Sequence, residues 1–204
     1  MVKFIDPPFM KFGLSILMRK GDETEKIKSM RDLGNQDKVK YGLVGGGSTE
    51  SFFRDPDRKD VYFRMWGKMK QPNSGSLLDS VEHGVKRVRE STDSHPFAFI
   101  GEEYTMEYHA SREPCDLVAV AGDVEIYDGE YHLALFKDLD TDTTDKLKKG
   151  LENLNKTGRL DDLYKKWWKE RAQCSRAPSS TAVTSGTAVL VPIVLAILFR
   201  VNGE

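Results

Sequence analysis

Two short stretches of the chain carry groups suited to holding a small charged ligand. The first is Gly45, Gly46, Gly47, Ser48 and Thr49. Three glycines let the backbone approach a ligand closely. A helix starting directly after them offers free amides and the positive end of its dipole. Ser48 and Thr49 add hydroxyls, and together these groups suit a carboxylate or a phosphate. The Lys-Ser/Thr ending of a P-loop is missing. The same residues also fit a plain glycine turn ahead of a capped helix. The second stretch is Glu102, which follows the apolar run FAFI at 97–100. Open α/β sheets place ligand groups at such strand ends. A carboxylate there could hold an ammonium group, although spacing alone fits an ordinary surface glutamate equally well. An anion site and an ammonium site on one lobe would together suit an amino acid.

The rest of the chain narrows the chemistry by what it lacks. His83, His95, His109 and His132 are scattered without metal-ligand spacing. There is no Gly-x-Ser-x-Gly elbow and no spaced cysteine–histidine pair. Catalysis is therefore not expected, and neither is a metal or a cofactor. Cys115 and Cys174 are too few for a four-ligand zinc site. They allow one disulfide in an extracellular setting, or two separate thiols. The net charge of −1 and pI near 6.5 give no footprint for nucleic acid. Asn155, Lys156 and Thr157 form a glycosylation sequon.

These groups need elements to position them. The 204 residues suit one ordinary domain or one and a half small ones. Residues 12–17 (FGLSIL) read as a strand, and the charged 19–28 stretch as an exposed joint. A helical turn fits 29–33. Residues 39–44 (VKYGLV) read as a strand ending in the glycines. Ser48 and Thr49 are possible caps for a helix over 50–54. Leu77, Leu78, Val81, Val85 and Val88 fall at helical spacing, predicting a helix over 77–88. A buried strand at 97–100, a helix at 103–110 and a strand at 116–120 follow. This alternation predicts an α/β unit with parallel strands. Leu147, Leu151 and Leu154 mark an amphipathic helix stopping at Gly158. Leu160, Leu163, Tyr164, Trp167 and Trp168 mark another, whose aromatic pair suits core packing.

From 176 to 186 the composition turns to Ser, Thr, Ala and Pro, a linker. Residues 182–201 then supply an apolar stretch of about 30 Å as a helix, matching a bilayer core. A single membrane pass is expected there, with Arg200 placing the C-terminus in the cytoplasm. A buried terminal helix or a removable lipid-anchor tail are the alternatives, and the charged end at 200–204 argues against the latter. The first residues, MVKFIDPPFMKFG, do not read as a signal peptide.

The ordered segments resemble the ligand-binding region of ionotropic glutamate receptors of the AMPA/kainate type. FIDPPFMKFGLSILMRK (4–20) looks like the end of that family's first ligand-binding segment. KIKSMRDLGNQDKVKYGLVGGGSTESFFRD (26–55) looks like the start of the second. YFRMWGKM (62–69), GVKRV (84–88), FAFIGE, EYHASREPCDLV (107–118) and LYKKWWKERAQC (163–174) follow in the family's order. Each is weak alone, and the ordered set is strong.

The resemblance implies a periplasmic-binding-protein-like clamshell lobe, a parallel or mixed sheet flanked by helices, followed by one C-terminal transmembrane helix. By position it implies that Ser48 and Thr49 bind the agonist's distal carboxylate, with Ser48 also meeting the α-carboxylate. Glu102 matches the acid that binds the α-amino group. Cys115 and Cys174 match the disulfide of this segment. Tyr131 matches a tyrosine near the amine, although GEYHLAL departs from the usual Gly-Tyr-Gly. The implied layout is 1–25 for the end of the first segment and a joint, 26–130 for the second lobe, and 131–175 for the returning helices of the first lobe. A linker (176–181), a membrane helix (182–201) and a cytoplasmic tail (202–204) complete it. The implied partners are L-glutamate or a related amino acid, other subunits of a homo- or hetero-tetramer, and the plasma membrane at a postsynaptic site. Two departures bear on this. The α-carboxylate-gripping arginine of the first segment has no counterpart here, and only GDETEK stands where the family has its pore. A fragment or a channel-less truncated subunit is the expectation, with the apolar faces of the last helices lacking a partner.

Overall fold

The computed structural model describes residues 1–21, 26–57, 59–121 and 129–174. Its main body is a five-stranded sheet. The strands are β2 (Leu14–Arg19), β3 (Lys40–Val44), β4 (Leu77–Leu78), β5 (Phe97–Glu102) and β6 (Leu117–Ala121), in the order β4-β3-β5-β2-β6. β3 runs parallel to β4 and β5, while β2 is antiparallel to both β5 and β6. The sheet is thus mixed, and only β2 runs against its neighbours. The strand–helix alternation predicts parallel pairing, and that holds for β3 with β4 and β5. β2 is instead entered straight from β1 (Val2–Phe12) across Gly13, which sets its direction.

Burial explains why β2 and β5 read as unbroken apolar runs. Both lie inside the sheet with helices over each face. Ile16 and Met18 of β2, with Ala98 and Ile100 of β5, point to one side. There they meet Met30 and Leu33 of α1 (Met30–Gly34), Phe53 of α2 (Ser48–Arg54), and Met65 and Trp66 of α3 (Val61–Met69). Leu17, Phe97 and Phe99 point to the other side. They meet Val85 and Val88 of α4 (Val81–Arg89) and Met106 of α5 (Glu103–Ala110). The two-residue period of a strand sorts these side chains into two cores.

Side-chain caps start several of the helices. The Asp60 side chain accepts from the amides of Tyr62 and Phe63 at 3.0 and 3.3 Å, and the Ser80 hydroxyl from His83 at 3.1 Å, satisfying donors a helix start leaves open. Because Ser80 caps there, the helix expected over 77–88 begins only at Val81. Leu77 and Leu78 instead pair with β3 as an edge strand. Gly42 permits this pairing, since a Cβ there would collide with the Ser76 carbonyl. Gly84 permits α4 to lie on the sheet, since its Cβ would sit 2.7 Å from the Phe99 ring.

A separate two-stranded ribbon pairs β1 with β7 (Gly129–Phe136), antiparallel from Val2↔Phe136 to Phe12↔Gly129. Its register shifts between Ile5 and Met10, around Pro7 and Pro8, which have no amide to give a ladder. α6 (Thr141–Lys156) packs on the ribbon. Gly158, at φ 71°, breaks α6 from α7 (Arg159–Tyr164), and a π-helical turn, Lys165–Glu170, follows. These last turns do not stand free of the sheet domain. The Trp168 indole donates to the Tyr104 carbonyl at 2.8 Å, and Tyr164 donates to Glu107 at 2.8 Å. Leu151 of α6 is buried, while Leu147 and Leu154 remain exposed. Among the described residues no helix is long and apolar enough to cross a membrane, and the expected span at 182–201 lies outside them.

Candidate functional site

The glycine loop leaves β3 at its carboxyl end and turns directly into α2. Gly46 takes φ 81°, a left-handed conformation that glycine adopts at little cost. The Gly45 amide donates to the Leu78 carbonyl at 2.9 Å, and the Gly46 amide to the Glu50 carboxylate at 2.7 Å. A Cβ on Gly46 or Gly47 would meet nothing within 4 Å, so this side of the loop is open. The helix cap is Gly47 rather than Ser48 or Thr49, and it has no side chain to spend on the helix. Ser48 and Thr49 are therefore the first two helical residues, whose amides have no carbonyl one turn back. Among the described residues neither hydroxyl has a hydrogen-bond partner in the protein. Free amides and free hydroxyls at one spot make an acceptor-seeking site.

Glu102 ends β5, the strand next to β3, and both strands point the same way. The two candidate segments thus lie at the carboxyl ends of adjacent parallel strands. No hydrogen bond joins them among the described residues. Glu102 is half-buried, paired across the sheet with Leu14, and caps α5 without a side-chain bond. Its Oε2 accepts from the Tyr131 hydroxyl. Oε1 has no protein partner among the described residues. Tyr131 reaches Glu102 from the ribbon, its ring stacked on Phe12 at 4.3 Å and on Phe9 at 5.9 Å. The crossing between ribbon and sheet is itself tied down, because the Glu103 amide donates to the Gly13 carbonyl at 2.9 Å. The structure therefore brings Glu102 and Tyr131 into contact.

Beside Tyr131 lies a cavity of about 350 Å³, lined by Phe9, Met10, Tyr104, Thr105, Tyr108 and Trp168. It holds no charged side chain, so it does not suit the charged ends of an amino acid. Of these aromatics the sequence marks only Trp168, as a packing residue; their shared wall arises from segments far apart in the chain. No group of histidine, cysteine or acidic residues among the described residues could hold a metal ion.

Comparison with known proteins gives these positions a context. No family model matches the chain. It is 34% identical over 148 residues to human glutamate receptor 3, which covers 72% of this chain. Mouse glutamate receptor 3 is 34% identical over 155 residues, covering 76%. A solved structure of Drosophila muscle GluRIIB in complex with glutamate superimposes with a TM-score of 0.68. It shows 30% identity and covers 82% of this chain and 62% of that one. The chain belongs to the ionotropic glutamate receptor family.

Glutamate-receptor homology accounts for the mixed α/β lobe. The chain spans only 16–17% of the length of these curated relatives. Within this receptor lobe Cys115 and Cys174 are joined, Cα atoms 5.4 Å apart. Around the bond, the Gln173 and Cys174 amides donate to the Ser111 carbonyl at 2.8 and 3.1 Å. Arg112 donates to the Arg171 carbonyl at 2.7 Å. The disulfide thus fastens the turn after α5 to the segment following the π-helical turn.

Proposed function

We propose that the chain contributes one jaw of an agonist clamshell that binds L-glutamate or a related amino acid. The observation carrying this reading is the Glu102 carboxylate. It stands at the mouth of β5 with one oxygen on Tyr131 and the other free. A free carboxylate oxygen accepts an α-ammonium group through a charge-assisted hydrogen bond. The open amides and hydroxyls at Ser48 and Thr49 suit the agonist's carboxylates. That the GluRIIB relative was solved in complex with glutamate supports the choice of ligand.

In the full reading, 26–130 forms the second lobe, 1–25 and 131–175 belong to the first, and 182–201 anchors the chain in the plasma membrane of a synapse. Asn155, exposed on α6, carries a glycan, and the chain assembles with other subunits into a tetramer. Closing of the clamshell on agonist, with contacts made only in the closed state, is what gates a cation channel in such an assembly. The short joint between β2 and α1 favours a channel-less form that damps complete subunits, and expressed alone the chain yields no agonist-evoked current. The direct test follows amide chemical shifts while L-glutamate is titrated into the chain. Shifts are expected at Gly46, Thr49 and Glu102, with affinity falling about tenfold or more in Glu102→Gln. Glutamate that moves none of these amides, or binds Glu102→Gln equally well, sinks the reading.

A further inference from the structure

β3 has a second polar site at its amino end. A cavity of about 500 Å³ opens between the residues leading into β3 and the turn that joins α3 to β4. Tyr41 lies in its wall with only 5% of its surface exposed. Its hydroxyl is fully buried and, among the described residues, has no hydrogen-bond partner. A donor left in that state costs the folded protein the full desolvation of the group. Burial, helped by the charge of Asp37, pushes the phenol up to about 12. The group is therefore an O–H donor at any physiological pH, and it lacks an acceptor.

The surroundings decide which acceptor fits. Lys40 lines the cavity and, among the described residues, forms no ion pair. Lys68 lines it too, with its ammonium 2.6 Å from Asp37 and 3.2 Å from the Gln36 carbonyl. The charge of Arg64 also acts on the phenol. The cavity wall thus carries two cations, Lys40 and Lys68, against one acid, Asp37, that Lys68 already holds. Asn73 and Ser76 add an amide and a hydroxyl to the wall. A metal ion or an ammonium group would meet net positive charge and a proton donor here. An oxyanion would meet neither obstacle.

We propose that this cavity binds a small oxyanion, a carboxylate or a phosphate. One of its oxygens accepts from the buried Tyr41 hydroxyl while Lys40 and Lys68 balance its charge. The site is separate from the glycine loop, which lies at the opposite end of the same strand. Occupancy here would bias the position of β3 and of the turn into β4, whose Leu78 carbonyl accepts from Gly45.

The experiment titrates the full chain with inorganic phosphate and, separately, with succinate, reading backbone amide shifts and the thermal midpoint. Saturable shifts are expected at Tyr41, Asn73 and Ser76. Tyr41→Phe removes the hydroxyl and keeps the ring, so it stays folded with an unliganded midpoint at or above that of the parent. It should weaken binding about tenfold, while Thr49→Ala leaves binding unchanged. Saturation by phosphate alone assigns a phosphate ligand, and by succinate alone a carboxylate; either supports the site. The proposal is overturned by no saturable binding of either ion, by equal binding in Tyr41→Phe, or by loss in Thr49→Ala instead.

Discussion

On the five-stranded sheet, Ile16 and Leu17 are successive residues of β2, and both are fully buried, one in each core. On the β1–β7 ribbon, Phe4 and Phe136 are 68% and 63% exposed. Both regions are made of strands with helices packed on them, but the sheet is covered twice and the ribbon once. α6 covers the side of the ribbon that carries Ile5, while Val2, Phe4 and Phe136 face outward. The difference lies in what can open. A strand with apolar contacts on both faces unfolds only with the whole domain. A ribbon held from one side opens locally at lower cost. Tyr131 belongs to the ribbon and Glu102 to the sheet, so the candidate site straddles the boundary between a rigid part and a loose one.

The sharpest test of the contrast replaces one aromatic on each side. Phe99→Ala should cost about 3–5 kcal/mol, because it empties a core sealed between β5, α4 and α5. Phe136→Ala should stay within about 0.5 kcal/mol, because the ring loses little contact. Urea unfolding followed by circular dichroism measures both, and similar losses would erase the distinction. Removing the cystine with Cys115→Ala plus Cys174→Ala comes next. The bond spans 59 positions, worth about 4 kcal/mol in the chain-entropy account. If that account holds, the loss appears in the global midpoint. If the segment after the π-helical turn merely peels away, the global midpoint stays and only Tyr164 and Trp168 report a change in fluorescence. Smaller again is the pair of helix caps. Asp60→Ala should lower global stability by about 1 kcal/mol, since α3 lies on the sheet. Asp140→Ala removes the bond to the Thr143 amide and should speed amide exchange in α6 without moving the global midpoint.

The same boundary separates what the sequence makes legible from what it hides. β2, β3, β5, β6 and α5 follow from apolar runs and turn residues close at hand, and their positions match except that β2 lies two residues later, at Leu14–Arg19. α3 is passed over as an element although its buried residues Val61, Tyr62, Met65, Trp66 and Met69 keep helical spacing; its residues draw attention only as a motif. β1 and β7 escape notice because their pairing joins Val2 to Phe136, and periodicity within a short window carries no information about so distant a partner. At the site, the glycine loop and Glu102 are visible as strand ends followed by helices. The cap on Gly47 is not, because serine and threonine are the stronger capping types and the three glycines give no reason to choose one. The Tyr131–Glu102 contact and the Tyr41 cavity each need residues from distant segments, and no spacing rule brings them together.

The ribbon also offers a test that leaves the sheet untouched. His132 places Nδ1 3.2 Å from the Ile5 carbonyl and Nε2 3.1 Å from the Glu130 carboxylate. Both ring nitrogens face acceptors, an arrangement fully satisfied only when the imidazole carries both protons. The bond to the Ile5 carbonyl, then that to Glu130, hold the His132 pKa above the ordinary imidazole value. Glu130 moves the other way, lowered first by its bond to Lys11 and then by His132. The signs are opposite. The histidine's contribution is complete below its unfolded pKa and disappears as pH rises through the folded one. The glutamate's contribution is present above its unfolded pKa and disappears as pH falls through the folded one. The ribbon should therefore hold best in the mildly acidic window between them, and loosen toward neutral and alkaline pH. After correction for the intrinsic pH dependence of exchange, amide protection at Ile5 and Leu133 should fall as His132 deprotonates, while Ile16 and Ile100 in the sheet stay protected. His132→Gln should flatten the dependence on that side. If protection in ribbon and sheet instead falls together with pH, the two regions open as one unit and the contrast between them is wrong.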